Sequence, residues 1–145
     1  DRADDEALLQ ELKSLMVGSR VDYTIFWREL GTFSSNPGAK NERLREHFLN
    51  AERFDAWAGQ YRERLQHEGS RDEERRARMD RVNPKYILRN YLAQGAIEKA
   101  QQKDYSEIDR LLTLLQNPYR EQAGMDAYAA PPPNWGKHIS VSCSS

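Results

Sequence analysis

Apolar positions recur with the 3.6-residue period of an α-helix along most of the chain. Leu8, Leu12, Leu15 and Met16 share one helix face behind the acidic opener Asp4-Asp5-Glu6, which suits the positive end of a helix macrodipole, and Gly18 closes the segment. Asp22 stands where it would cap a short second helix carrying Ile25, Phe26 and Leu30. Residues 31–40 contain Gly31, Ser34, Ser35, Asn36, Pro37 and Gly38, which reads as a loop. Phe54, Trp57, Tyr61 and Leu65 then predict a longer helix stopped by Gly69. Ser70 and Glu73 have the spacing of a capping box for a helix running through Met79. Asn83-Pro84, a cap followed by proline at the first helical position, predicts a helix holding Tyr86, Ile87, Leu88, Tyr91 and Ile97. Ser106 with Asp109 predicts the start of a last helix bearing Ile108, Leu111, Leu112 and Leu115, ended by Asn117-Pro118. No stretch alternates with period two for long enough to argue a sheet. The expected fold is all-α, a bundle of six or seven helices with roughly 90 helical residues.

Residues 117–145 differ in kind. They hold four of the six prolines, including Pro131-Pro132-Pro133, which favours an extended polyproline II path. Trp135 is expected to pin this arm into a groove between helices. The expected organisation is one domain, with a bundle over residues 1–116 and an extended tail over 117–145 packing on it. The start at Asp1, without a methionine, is expected of a piece of a longer protein.

Composition narrows the function classes. The chain has 145 residues, 38% hydrophobic and 31% charged, and its mean hydropathy is -0.94. No apolar run is long enough for a membrane span, so no membrane partner is expected, and nothing reads as a signal peptide. Those features point to a soluble cytoplasmic chain. With 22 Lys+Arg against 23 Asp+Glu the net charge is -1, which lacks the basic excess of a nucleic-acid binder, so no nucleic-acid partner is expected. Residues 71–81 contain five arginines interleaved with Asp72, Glu73, Glu74 and Asp80, a solvated helix face with i,i+4 pairs rather than an RNA-touching one. His47, His67 and His138 are too scattered for a metal site. Trp57, Tyr61, Tyr86 and Tyr91 stand at core spacing, not as a base-stacking platform. No phosphate-binding or nucleophile-elbow motif is present. One cysteine, Cys143, excludes an intrachain disulfide. Chemistry alone describes a helical module with no catalytic residues, no metal and no bound cofactor.

Two stretches resemble a known family. Asn83-Pro84-Lys85-Tyr86-Ile87-Leu88-Arg89-Asn90-Tyr91-Leu92-Ala93, followed by Ala96-Ile97-Glu98-Lys99-Ala100, is similar to the near-terminal motif of the selenoprotein O (YdiU) family. Asp104-Tyr105-Ser106-Glu107, the leucines from Leu111 to Leu115, Asn117-Pro118-Tyr119, Pro132-Pro133-x-Trp135 and Ser142-Cys143-Ser144-Ser145 follow in the family's order. Val21-Asp22-Tyr23-Thr24 and Phe26-Trp27-Arg28-Glu29-Leu30 agree more loosely. The resemblance spans the chain but only the last third or so of a typical member.

The resemblance implies the C-terminal region of a protein adenylyltransferase with a protein-kinase-like fold. Such an enzyme uses ATP with Mg²⁺ or Mn²⁺ to place AMP on Ser, Thr or Tyr hydroxyls of protein substrates. Its nucleotide and metal residues lie upstream in the family pattern and match no position here, so this stretch is expected to be inactive by itself. The implied partners are the kinase-like part of the same parent and the parent's substrates. Cys143 falls where eukaryotic members often carry selenocysteine and many bacterial ones cysteine, so the resemblance implies a bacterial source, or a mitochondrial location if eukaryotic. It also implies a redox role, pairing with a cysteine of the kinase-like part. A thiol near a chain end is accessible, and although its ordinary pKa of about 8.5 leaves little thiolate at neutral pH, tethering compensates. The alternative is a protein-interaction helical module with no catalytic role.

Overall fold

In a computed structural model, which describes residues 1–139, the chain forms seven α-helices and two short 3-10 turns, with no strand among those residues. The expected all-α fold is therefore the observed one. The chain divides into two compact units, Asp1–Arg81 and a second from Val82 onward.

The first unit contains α1 (Arg2–Gly18), α2 (Tyr23–Leu30), α3 (Glu42–Arg45), α4 (Ala51–His67) and α5 (Asp72–Val82). Helix α1 buries Leu12, Leu15 and Met16, the face its spacing predicts, and lies along α4. Asp22 caps α2 as expected, its carboxylate accepting from the Ile25 N–H at 3.1 Å. Five of the twelve buried core residues are aromatic. Phe48 stacks on Phe54 at 4.9 Å, Trp57 on Tyr61 at 5.0 Å, and Phe26 meets Phe48 edge-on at 5.5 Å. Such pairs add to the stabilisation that area burial alone supplies. Trp57 satisfies its own polar atom by donating Nε1–H to the Leu8 carbonyl at 3.0 Å, which ties α4 to α1.

Two starts differ from expectation in this unit. Ser70 does not cap α5, which begins at Asp72. The Ser70 N–H instead donates to the Leu65 carbonyl and the Gly69 N–H to Gln66, with Gly69 at φ +67°. That is the left-handed stop of α4, and it uses the residue the capping box would need. A single turn, α3, also forms where no helix was expected, after Asn41 at φ +48°. Asn41 holds the preceding loop, accepting from the Ser34 N–H at 2.7 Å and donating to the Ser34 carbonyl at 3.2 Å.

The second unit contains α6 (Asn90–Gln101), α7 (Ser106–Leu115) and 3-10 turns at Asp126–Ala129 and Asn134–Gly136. The helix expected from Pro84 does not begin until Asn90. Residues 84–89 are not helical, because the Lys85 and Tyr86 N–H groups both donate to the Pro118 carbonyl, at 2.9 and 3.3 Å. This pairing turns the Tyr86 ring fully into the unit while Leu88 is left exposed. Helix α7 starts at Ser106 as expected, but its first turn is held by Asp104, which accepts from the Ser106 N–H at 3.1 Å and from its hydroxyl at 2.6 Å. Gln122 finishes the same helix, donating Nε2–H to the Leu114 and Asn117 carbonyls.

Candidate functional site

The first unit carries an apolar groove of about 390 Å³ whose walls come from α1, α2, α4 and α5. Leu8, Leu9, Trp27, Trp57, Tyr61 and Met79 contribute to its apolar lining. Charged groups rim it. Arg64 donates to Asp5 at 2.5 Å and to Glu68 at 3.0 Å, so both acids of the rim are engaged by one guanidinium. The hydrogen bond from Arg64 holds the Asp5 carboxyl below its ordinary pKa. Arg75, only 4% exposed, lines the same groove. It donates to Asp72 at 2.7 Å and to the Phe33 carbonyl, while its Nε has no partner among the described residues. Arg78 completes the rim with no ion pair to a described residue.

Arg75 corrects the reading of residues 71–81 as a solvated face. Arg71 and Arg76 do lie on the surface, paired with Glu74 and Asp80. Arg75, by contrast, points inward, on the face it shares with Met79 four residues later. That i,i+4 coincidence was the signal available in the sequence.

The second unit positions the C-terminal arm. Ala130 and Pro133 adopt φ/ψ of -68°/156° and -63°/161°, the polyproline II region expected there. Trp135 is not sunk in a groove between helices as expected. It is 69% exposed and meets the Tyr91 ring edge-on at 5.8 Å. The buried contact belongs to its neighbour, because a Cβ on Gly136 would lie 2.8 Å from the Tyr91 Cβ. The amide of Asn90 then donates to the Ile139 carbonyl at 2.9 Å. A cleft of about 280 Å³ opens beside these residues, lined by Leu88, Pro132 and Ile139 among others. Cys143, the expected redox residue, lies outside the described residues.

Lys85 anchors the loop before the arm, donating to Asp126 at 2.8 Å and to Glu121. Burial alone would lower the Lys85 pKa, but the two carboxylate bonds outweigh it and the net shift is upward. His47 contacts Glu29 and lies edge-on to Phe26, a satisfied side chain. Among the described residues no group of three or more His, Cys, Asp or Glu is arranged to hold a metal. No described helix is long and apolar enough to cross a membrane.

Comparison with known proteins places this architecture. Residues 1–116 match the family model described as "Protein adenylyltransferase SelO". The chain is 52% identical over 144 residues to the protein nucleotidyltransferase YdiU of Myxococcus xanthus, covering 99% of this chain and 30% of that protein. It is 53% identical over 143 residues to the YdiU of Pseudomonas fluorescens strain Pf0-1, covering 98% of this chain and 29% of the relative. It is 54% identical over 144 residues to that of Thioalkalivibrio sulfidiphilus, covering 99% and 29%. The chain belongs to the SelO family of protein nucleotidyltransferases. It spans about 30% of the length of these relatives.

Proposed function

We propose that this chain is the C-terminal helical region of an ATP-dependent protein adenylyltransferase. In that parent, a Ser, Thr or Tyr hydroxyl of a protein substrate attacks the α-phosphorus of ATP, AMP is transferred and pyrophosphate leaves, with Mg²⁺ or Mn²⁺ balancing the phosphate charge. The present residues scaffold the kinase-like part and do not touch the nucleotide. None of them supplies the Gly-rich cradle, lysine and metal-binding acids that such chemistry needs.

Cys143 regulates the enzyme. Its thiol and a cysteine of the kinase-like part together give up two electrons and two protons to a disulfide oxidant such as oxidised glutathione, forming one S–S bond. The observation that carries this reading is the seating of the arm. Gly136 packs against Tyr91, and Asn90 holds the chain at Ile139, four residues before the thiol. A held approach restricts where the thiol can reach, which raises its effective concentration toward one partner.

The test uses the parent protein. Labelled AMP incorporation is measured with and without residues 1–145, with and without reductant, and for Cys143→Ser. Loss of activity on deletion, together with a reductant response that Cys143→Ser removes, is the expected result. Full activity after deletion overturns the scaffold, and identical reductant responses overturn the latch. Calorimetry of the 145-residue chain with ATP and Mg²⁺ should show no micromolar binding.

A further inference from the structure

We propose that the groove walled by α1, α2, α4 and α5 receives an amphipathic segment, carrying a carboxylate beside a bulky apolar side chain, from the part of the parent polypeptide outside these 145 residues. The proposal rests on the reading of this chain as one region of a longer adenylyltransferase, and it names where that region is gripped.

Charge is the first argument. The two acids at the rim, Asp5 and Glu68, are both engaged by Arg64. Arg78 lines the groove with no ion pair to a described residue, whereas Arg75 beside it is already bonded to Asp72. An arginine left without a counter-charge at an apolar groove selects a carboxylate on the occupant.

Shape is the second argument. The unit's core residues are buried, yet Leu9 remains 39% exposed beside the half-buried Leu8 and Trp27. An open groove lined mostly by apolar side chains together with charged ones fits an amphipathic peptide better than a free polar solute. Covalent continuity is the third. Because the chain covers only about 30% of its relatives' length, most of the parent is available on the same polypeptide. A tethered segment binds at high effective concentration, so a modest groove suffices and a freely diffusing partner has no such advantage.

The experiment places the photoreactive residue benzoylphenylalanine at Leu9 in the intact parent protein, irradiates it and maps the cross-link by mass spectrometry. The expected product joins residue 9 to one segment outside residues 1–145 of the same molecule, with an Asp or Glu within a helical turn of the captured position. Arg78→Glu should lower the yield about fivefold, as loss of a rim ion pair would. Changing the captured carboxylate to Lys in that background should restore it. Cross-links confined to residues 1–145, joined to a second copy or a foreign protein, absent altogether, or indifferent to Arg78→Glu overturn the proposal. A parent that loses activity on deletion of residues 1–145 yet shows no such cross-link overturns this proposal and leaves the scaffold reading standing.

Discussion

The Arg75 guanidinium donates to the backbone carbonyl of Phe33, 42 residues earlier in the chain, inside the first unit. It thereby bolts α5 to the loop that follows α2, and Asp72 completes the clamp by accepting from Arg75 and from the Ser35 N–H at 2.9 Å. Arg75→Ala removes the donor, leaves the Phe33 carbonyl without that bond and opens a cavity. A loss of about 2–4 kcal/mol is expected. Urea unfolding of the chain, followed by the fluorescence of Trp27 and Trp57, measures it as a lower midpoint.

The same clamp sets a pH dependence. Burial raises the Asp72 pKa, but hydrogen bonds from Ser35 and Arg75 outweigh that, and the net shift is below the ordinary 3.8. The unfolded chain therefore binds the proton first as pH falls, so the stabilisation is complete above the unfolded value and is lost as pH drops through the folded one. The urea midpoint of the wild type should exceed that of Asp72→Asn at pH 6. The gap should narrow below about pH 4, the ordinary range of an aspartate. A gap that is constant from pH 6 to pH 3 would exclude the clamp as its source.

Glycines in the second unit give opposite predictions. Gly136→Ala places a methyl 2.8 Å from the Tyr91 Cβ, an atom close to the backbone that has little room to yield. The arm must move, and overpacking of this kind costs about 1–3 kcal/mol. Gly95 lies inside α6 with nothing within 4 Å of its added Cβ. There the gain in helix propensity should stabilise by roughly 0.5–1 kcal/mol. Limited proteolysis around Trp135 should accelerate for the first variant and stay at the wild-type rate for the second.

Helix content and the core of the first unit were legible because periodicity is a local property. Leu12, Leu15, Phe54, Trp57 and Leu65 are all buried where spacing places them. Positions decided by a distant partner were not legible. Tyr86 reads as helical until the Pro118 carbonyl takes its N–H and that of Lys85. Trp135 reads as an anchor, yet the contact that admits no substitution is made by the residue after it. The groove escaped for a related reason. Leu9 looks like a neighbour of the core face, and only the three-dimensional course of α5 brings Arg75 and Arg78 to the same rim.

The two serine and aspartate caps offer the sharpest contrast between pattern and structure. Asp22 and Ser70 both occupy cap positions by sequence, but only Asp22 accepts from the helix it precedes. Asp22→Ala should cost about 1 kcal/mol, the usual loss for an N-cap side chain. The Ser70 hydroxyl is buried with no partner among the described residues, and its backbone N–H serves the end of α4. Removing a buried hydroxyl that bonds nothing forfeits no interaction and relieves its desolvation. Ser70→Ala should therefore be neutral or slightly stabilising, whereas a working capping box would make it as harmful as Asp22→Ala. Thermal unfolding of the two variants side by side separates these outcomes. Equal drops in midpoint would show that Ser70 caps α5 after all.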